Sequence, residues 1–178
     1  SSTVSRAICS YNLNCEENNY IEEVIVHTGQ HFDKNMSDIF FSELDIPEPK
    51  YNLNISNLTH GAMTGRMLES IEIVLLEEMP DLVLIYGDTN STLSGVLAAK
   101  KMHIQVAHVE AGLRSYNMKM PEEINRIVAD RLSDYLFCPS QNSVKNLQDE
   151  GIVSGVFNVG DVMFDATLFF KEKAKKII

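Results

Sequence analysis

Leu82-Val-Leu-Ile-Tyr86 limits what this chain can fold into more than any other stretch. The run is apolar at every position, so it lacks the alternation of a strand with one wet face, and it is too short for an ordinary helix. A strand apolar on both faces has to be buried on both, which places it in a parallel sheet covered by helices. Gly87-Asp-Thr-Asn90 then turns the chain into a helix predicted over 91–102. The same alternation recurs along the chain. Strands are predicted over 23–28, 104–109, 135–138 and 156–159. Helices are predicted over 1–13, 32–44, 60–79, 121–133, from 140 to 150, and after Gly160-Asp161. Met67, Leu68, Ile71, Val74 and Leu75 form the buried stripe of the 60–79 helix, which Pro80 ends. Tyr51-Asn-Leu-Asn-Ile55 alternates and reads as a short extended piece. The expected class is α/β, one parallel sheet with helices on both faces.

Chemistry concentrates in the stretch from Val106 to Arg126. Glu110 sits at the exit of the 104–109 strand, and Asp88 sits just past the 82–86 strand. One right-handed crossover joins these strands, so they are expected to be neighbours, ~4.8 Å apart. Both carboxylates then emerge at the carboxyl edge, where open parallel sheets bind ligands. Two acids there suit proton transfer. The plainer reading of Asp88 is helix capping. That of Glu122 and Glu123, after Pro121, is first-turn acids answering the helix dipole. Arg114 and Arg126 either pair with acids or hold a phosphate. Gly29-Gln-His31 leaves the 23–28 strand at the same edge; the plainer reading of His27 and His31 is a structural histidine, the other a proton-transfer group. No histidine pair has ligand spacing on a helix, so no metal site is expected.

A formal net charge of -10 argues against nucleic acid as a partner. Three cysteines without ligand spacing, Cys9, Cys15 and Cys138, suggest a reducing compartment, hence a cytoplasmic protein. No apolar run approaches the ~18 residues of a membrane span, and a signal peptide is not expected.

Val26-His-Thr-Gly-Gln-His31, Tyr86-Gly-Asp-Thr-Asn-Ser91, His108-Val-Glu-Ala-Gly-Leu-Arg114, Pro121-Glu-Glu-Ile-Asn-Arg126 and Asn158-Val-Gly-Asp161 together resemble the non-hydrolysing UDP-N-acetylglucosamine 2-epimerases. The resemblance runs from near residue 4 to near residue 170. It leans toward the branch acting on UDP-2,3-diacetamido-glucuronate. It implies a Rossmann-like domain, one half of a GT-B-type fold with the site between two domains. It implies inversion at C2 of the sugar, by elimination of UDP to a 2-acetamidoglucal and re-addition to the other face. Three acids serve that chemistry in the family, and they fall here on Asp88, Glu110 and Glu122. Gln30, Arg66 and Glu122 match positions near a second, activating UDP-sugar in some bacterial members. With His31, Arg114 and Arg126 they complete the candidate binding set. The resemblance implies no cofactor, no catalytic metal and a homodimer in the full-length protein.

The sequence departs from the family pattern at both ends. The opening strand with its Gly-x-Arg-Pro loop and the second, UDP-binding domain are not seen, so 1–178 reads as the N-terminal domain alone. On its own it is expected to be inactive. Two other readings compete with an epimerase half-site. One is a non-catalytic nucleotide-sugar-binding module, and the other is a glycosyltransferase acceptor domain supported by fold analogy only.

Overall fold

The computed structural model describes residues 2–14, 20–29 and 47–175. The chain divides into two compact units, one of residues 1–27, 31–52 and 161–178, the other of residues 28–30 and 53–160.

In the first unit, helix α1 (Ser2–Asn14) packs against a C-terminal helix, Val162–Lys175. The Arg6 guanidinium lies 4.0 Å from the centre of the Phe169 ring, a cation–π contact. Ser5 Oγ donates to Glu23 Oε1 at 2.7 Å. Strand β1 is shorter than the predicted 23–28, spanning Val26–His27, and it pairs in parallel with β2 (Tyr51–Asn52). The extended piece at Tyr51 is therefore a strand, and β1 pairs with it rather than with the Leu82 strand. The helix predicted over 32–44 lies outside the described residues.

The second unit holds a four-stranded parallel sheet in the order β3 (Leu82–Tyr86), β4 (Gln105–Val109), β5 (Tyr135–Cys138), β6 (Val156–Asn158). Four helices connect or flank these strands: α2 (His60–Glu78), α3 (Asn90–Lys101), α4 (Pro121–Leu132) and α5 (Gln141–Asp149). The α2 helix stops where Met79 turns left-handed (φ 45°) ahead of Pro80. Its buried residues are Met67, Ile71, Val74 and Leu75, while Leu68, also predicted for the stripe, is only half-buried. The α3 helix lies close to β3 because Gly95 is small: a Cβ there would sit 3.1 Å from Ile85 Cγ2. Ile85, Val96, Val106 and Ala129 join Met67, Ile71 and Leu75 of α2 in one core, while Leu136, Cys138 and Leu147 form a second.

The burial of one strand differs from the sequence expectation. β3, apolar throughout, is outermost in its sheet and fully buried only at Ile85, with Leu82 45% exposed. β4, one of the two interior strands, is buried from Val106 to Val109 although it contains a histidine. Apolarity alone does not rank neighbouring strands; sheet order does.

Gly112 fixes the loop after β4. Its φ is +77°, and a Cβ there would lie 2.4 Å from the Ser143 carbonyl oxygen at the start of α5. Gly112→Ala is therefore expected to destabilise the unit by more than ~2 kcal/mol through backbone strain and overlap. Gly65→Ala, on α2 with open space around it, is expected to be neutral or stabilising. Urea midpoints of the two variants check this contrast.

Candidate active site

The parallel register from Leu82↔Gln105 to Tyr86↔Val109 brings β3 and β4 to the same edge level with each other. Asp88 and Glu110, each just past its strand, thus share the carboxyl edge, as the crossover argument requires. Glu110 has φ +72°, a strained conformation for a residue with a Cβ. That conformation turns its carboxylate back over the neighbouring loop. A Cβ on Gly87 would lie 3.7 Å from Glu110 Oε2. Strain of this kind costs ~1–3 kcal/mol and tends to be kept where geometry serves function.

Asp88 does not cap α3; the cap position is Thr89, whose side chain makes no cap bond. The Asp88 carboxylate instead accepts from Arg126 Nε at 2.9 Å and Nη2 at 2.5 Å, and its main-chain oxygen accepts from Asn125 Nδ2 at 2.8 Å. Arg126 Nη1 also donates to Glu123 Oε2 at 2.9 Å. The first turns of α4 are thereby tied to the Asp88 turn.

Glu123 does more than answer a helix dipole. It is 1% exposed and accepts from the Ser115 N–H at 3.0 Å, the Ser115 hydroxyl at 3.0 Å and the Tyr116 N–H at 2.8 Å. Burial by itself would raise this carboxyl, but the Ser115 and Tyr116 donors and Arg126 outweigh it and hold it down at about 2. Because the folded-state value is depressed, the ionised carboxylate stabilises the fold above the unfolded value of ~4.3. That contribution is lost as pH falls from there toward about 2. Glu123→Gln is expected to be less stable at neutral pH and to show a shallower acid limb across that window. Stability measured against pH for both proteins checks it.

Arg114, one of the candidate binding residues, is engaged by acids. Its side chain is 1% exposed. Nη1 donates to Asp130 Oδ2 at 2.6 Å, while Nε and Nη2 donate to the Glu150 carboxylate at 2.6 and 2.7 Å. Burial disfavours its charge, yet the bonds to Glu150 and Asp130 prevail and raise its pKa. Asp130, 1% exposed, also accepts from the Gly112 N–H at 3.1 Å and lies 2.7 Å from His108 Nδ1. His108, fully buried in β4, reaches the Gly87 carbonyl through Nε2 at 2.7 Å. Of the two arginine readings left open by the sequence, pairing with acids is the one this geometry displays at both Arg114 and Arg126.

Glu122 is half-buried at the start of α4, beside Glu123, and no hydrogen bond or ion pair engages its side chain among the described residues. Arg66 is exposed on α2 and likewise unpaired among them, and no contact brings it to the Asp88 corner. Gln30 and His31 lie outside the described residues. Among the described residues no cluster of three or more His, Cys, Asp or Glu side chains is arranged to hold a metal. Nor is any described helix long and apolar enough to cross a membrane.

His108, Asp130 and Glu150 were not singled out by motif spacing. A signal did exist: Glu123, Arg126 and Asp130 recur at i, i+3 and i+7, one face of α4. Glu123 and Asp130 on that face are buried while Ile124 is 45% exposed, so the helix turns charge inward.

A family model described as UDP-N-acetylglucosamine 2-epimerase matches residues 13–178. The chain belongs to this family. Two relatives illustrate it. The UDP-2,3-diacetamido-2,3-dideoxy-D-glucuronate 2-epimerase of Pseudomonas aeruginosa is 57% identical over 176 residues, covering 97% of this chain and 48% of its own length. The UDP-N-acetylglucosamine 2-epimerase of Methanocaldococcus jannaschii is 54% identical over 153 residues, covering 85% and 42%. The crystal structure of the M. jannaschii epimerase in complex with UDP-GlcNAc and UDP superimposes with a TM-score of 0.90 at 50% identity, over 98% of this chain and 46% of that one. The epimerase fold class expected from the resemblance, a Rossmann-like half of a GT-B-type fold, is therefore the observed one. The chain spans about half the length of the curated relatives it matches.

Proposed function

We propose that this chain supplies the acid-bearing half of a UDP-N-acetylglucosamine 2-epimerase. In this reading the C2 proton and UDP leave together to give a 2-acetamidoglucal, and UDP adds back to C1 while a proton is delivered to the opposite face of C2, giving UDP-N-acetylmannosamine. The product enters cell-surface polysaccharide precursor synthesis. Asp88, Glu110 and Glu122 jointly handle the proton and the cleaving bond. One observation carries the reading: the β3–β4 register sets Asp88 and Glu110 at one edge, and Arg126 of α4, the helix that bears Glu122, closes on Asp88. A mere binding module would have no need of acids gathered where they oppose a diphosphate. Arg126 orients Asp88, Arg114 braces the loop beyond Glu110, and Gln30, His31 and Arg66 remain the proposed contacts to substrate or effector. No cofactor or metal takes part.

A second reading, UDP-2,3-diacetamido-glucuronate as substrate, is favoured by the 57% identity to the Pseudomonas relative. Cytoplasmic location and a homodimer belong to the same proposal. Cys9 and Cys138 are free thiols, and the exposed Ile73 and Leu76 of α2 offer apolar surface to a partner copy.

The test is a chimaera in which this chain replaces the matching half of the M. jannaschii enzyme. Offered each UDP-sugar separately, it is expected to invert C2 of UDP-N-acetylglucosamine. Turnover of the diacetamido-glucuronate alone would select the second reading. Binding of both without turnover of either would leave only a binding module.

A further inference from the structure

We propose that His108 is a positioning residue for Asp88. Held doubly protonated by Asp130, it pins the Gly87 carbonyl and so fixes the turn that presents the Asp88 carboxylate. The consequence for turnover rests on the epimerase reading; the protonation state does not.

His108 occupies an interior position of β4 where an apolar side chain would pack without further needs. It is 0% exposed, so both ring nitrogens must find partners inside the protein. Nε2 lies 2.7 Å from the Gly87 carbonyl oxygen, which can only accept, so Nε2 carries a proton. Nδ1 lies 2.7 Å from Asp130 Oδ1. The other oxygen of that carboxylate takes the Arg114 guanidinium at 2.6 Å and the Gly112 N–H at 3.1 Å. Both donors favour ionised Asp130, so Oδ1 accepts and Nδ1 carries a proton as well. The ring is an imidazolium.

Charge balance supports the same assignment. His108 and Arg114 are the cations, Asp130 and Glu150 the anions, and the four side chains cancel. Buried charge is tolerated when it is paired and hydrogen-bonded in this way.

The imidazolium points its second proton at the backbone that precedes Asp88. Gly87 has φ +61°, and its N–H donates to the Val109 carbonyl at 3.1 Å. Its own carbonyl is taken by His108, and the next carbonyl, that of Asp88, by Asn125. Three backbone groups in succession are thus tied to β4 and α4, which leaves Asp88 little freedom except to meet Arg126. A charge-assisted bond holds the turn harder than a neutral one would.

The first experiment uses the 178-residue chain with 15N-labelled histidine. Its NMR spectrum is expected to show both His108 ring nitrogens protonated at neutral pH; a bare ring nitrogen on His108 overturns the proposal. The second uses the chimaera. His108→Phe is expected to lower kcat by ~30–100-fold with KM changed less than ~3-fold, the scale of a misplaced catalytic group. His108→Gln, whose amide N–H can still reach the Gly87 carbonyl, is expected to recover part of that loss. If His108 acts through Asp88, adding His108→Phe to Asp88→Asn slows the enzyme little further. An additional loss as large as in the wild-type background, or a Gln variant as slow as Phe, overturns the positioning role. A chimaera inactive without any substitution would count against the epimerase reading, while the NMR result would still judge the protonation state.

Discussion

Asp88→Asn, Glu110→Gln and Glu122→Gln are each expected to slow C2 inversion by the chimaera at least ~100-fold, the usual scale for losing a positioned acid or base. The three changes preserve size and remove charge, so folding should survive them. Asp88→Asn keeps an oxygen for the Arg126 bonds now at 2.9 and 2.5 Å, and Arg126 retains Glu123 as its anion. Glu110→Gln leaves the strained backbone at φ +72° in place and alters only the carboxylate over the Gly87 turn. Glu122→Gln touches a side chain with no bond among the described residues. Rates under substrate saturation, with circular dichroism to confirm folding, separate a chemical loss from a structural one. A Glu110→Gln enzyme with near-normal turnover would remove Glu110 from the reacting set.

Asp130→Ala should have the largest effect on stability. Asp130 takes three donors at once: His108, Arg114 and the Gly112 N–H. Without it the His108 Nδ1 proton and the Gly112 N–H lose their partner in a buried site, and Arg114 keeps only Glu150. Removing one member of a buried ion pair costs ~3–5 kcal/mol, because the charge left behind stays buried. Against a typical total of ~5–15 kcal/mol that brings the chain near or past its folding limit. The exposed Lys145–Asp149 pair, with side chains 66% and 61% accessible, is the contrast. Lys145→Ala should leave the urea midpoint unchanged, since solvent already screens that pair. Equal midpoints for Asp130→Ala and Lys145→Ala would show that the buried network does not hold the loops together.

Much of the second unit is legible in the sequence because its strands and helices differ in period and are punctuated by Gly, Pro and Asp. Leu82–Tyr86 and Tyr135–Cys138 fall on their predicted residues. The Asp88–Glu110 edge follows from connectivity alone, since a single crossover forces the two strands parallel. What the sequence leaves out is long-range. Arg114 finds its partners 16 and 36 residues away, and no local pattern separates such an arginine from a ligand clamp. His108 sits inside an apolar run, where period gives no warning that its neighbour is a carboxylate. The pairing of β1 with Tyr51–Asn52 is a matter of which edge meets which, and hydrophobicity is silent on that.

Deuterium at C2 tests the central claim most directly. With UDP-N-acetylglucosamine in deuterated water, the chimaera should place one deuterium at C2 of the epimerised sugar, and the Glu110→Gln form should place it at least ~100-fold more slowly. The 178-residue chain alone should exchange nothing, because Arg126 is committed to Asp88 and Glu123, and Arg114 to Asp130 and Glu150. Neither is left to stabilise a departing diphosphate. Epimerised product that keeps its original C2 hydrogen, or exchange catalysed by the chain on its own in proportion to its concentration, would contradict this account of the site.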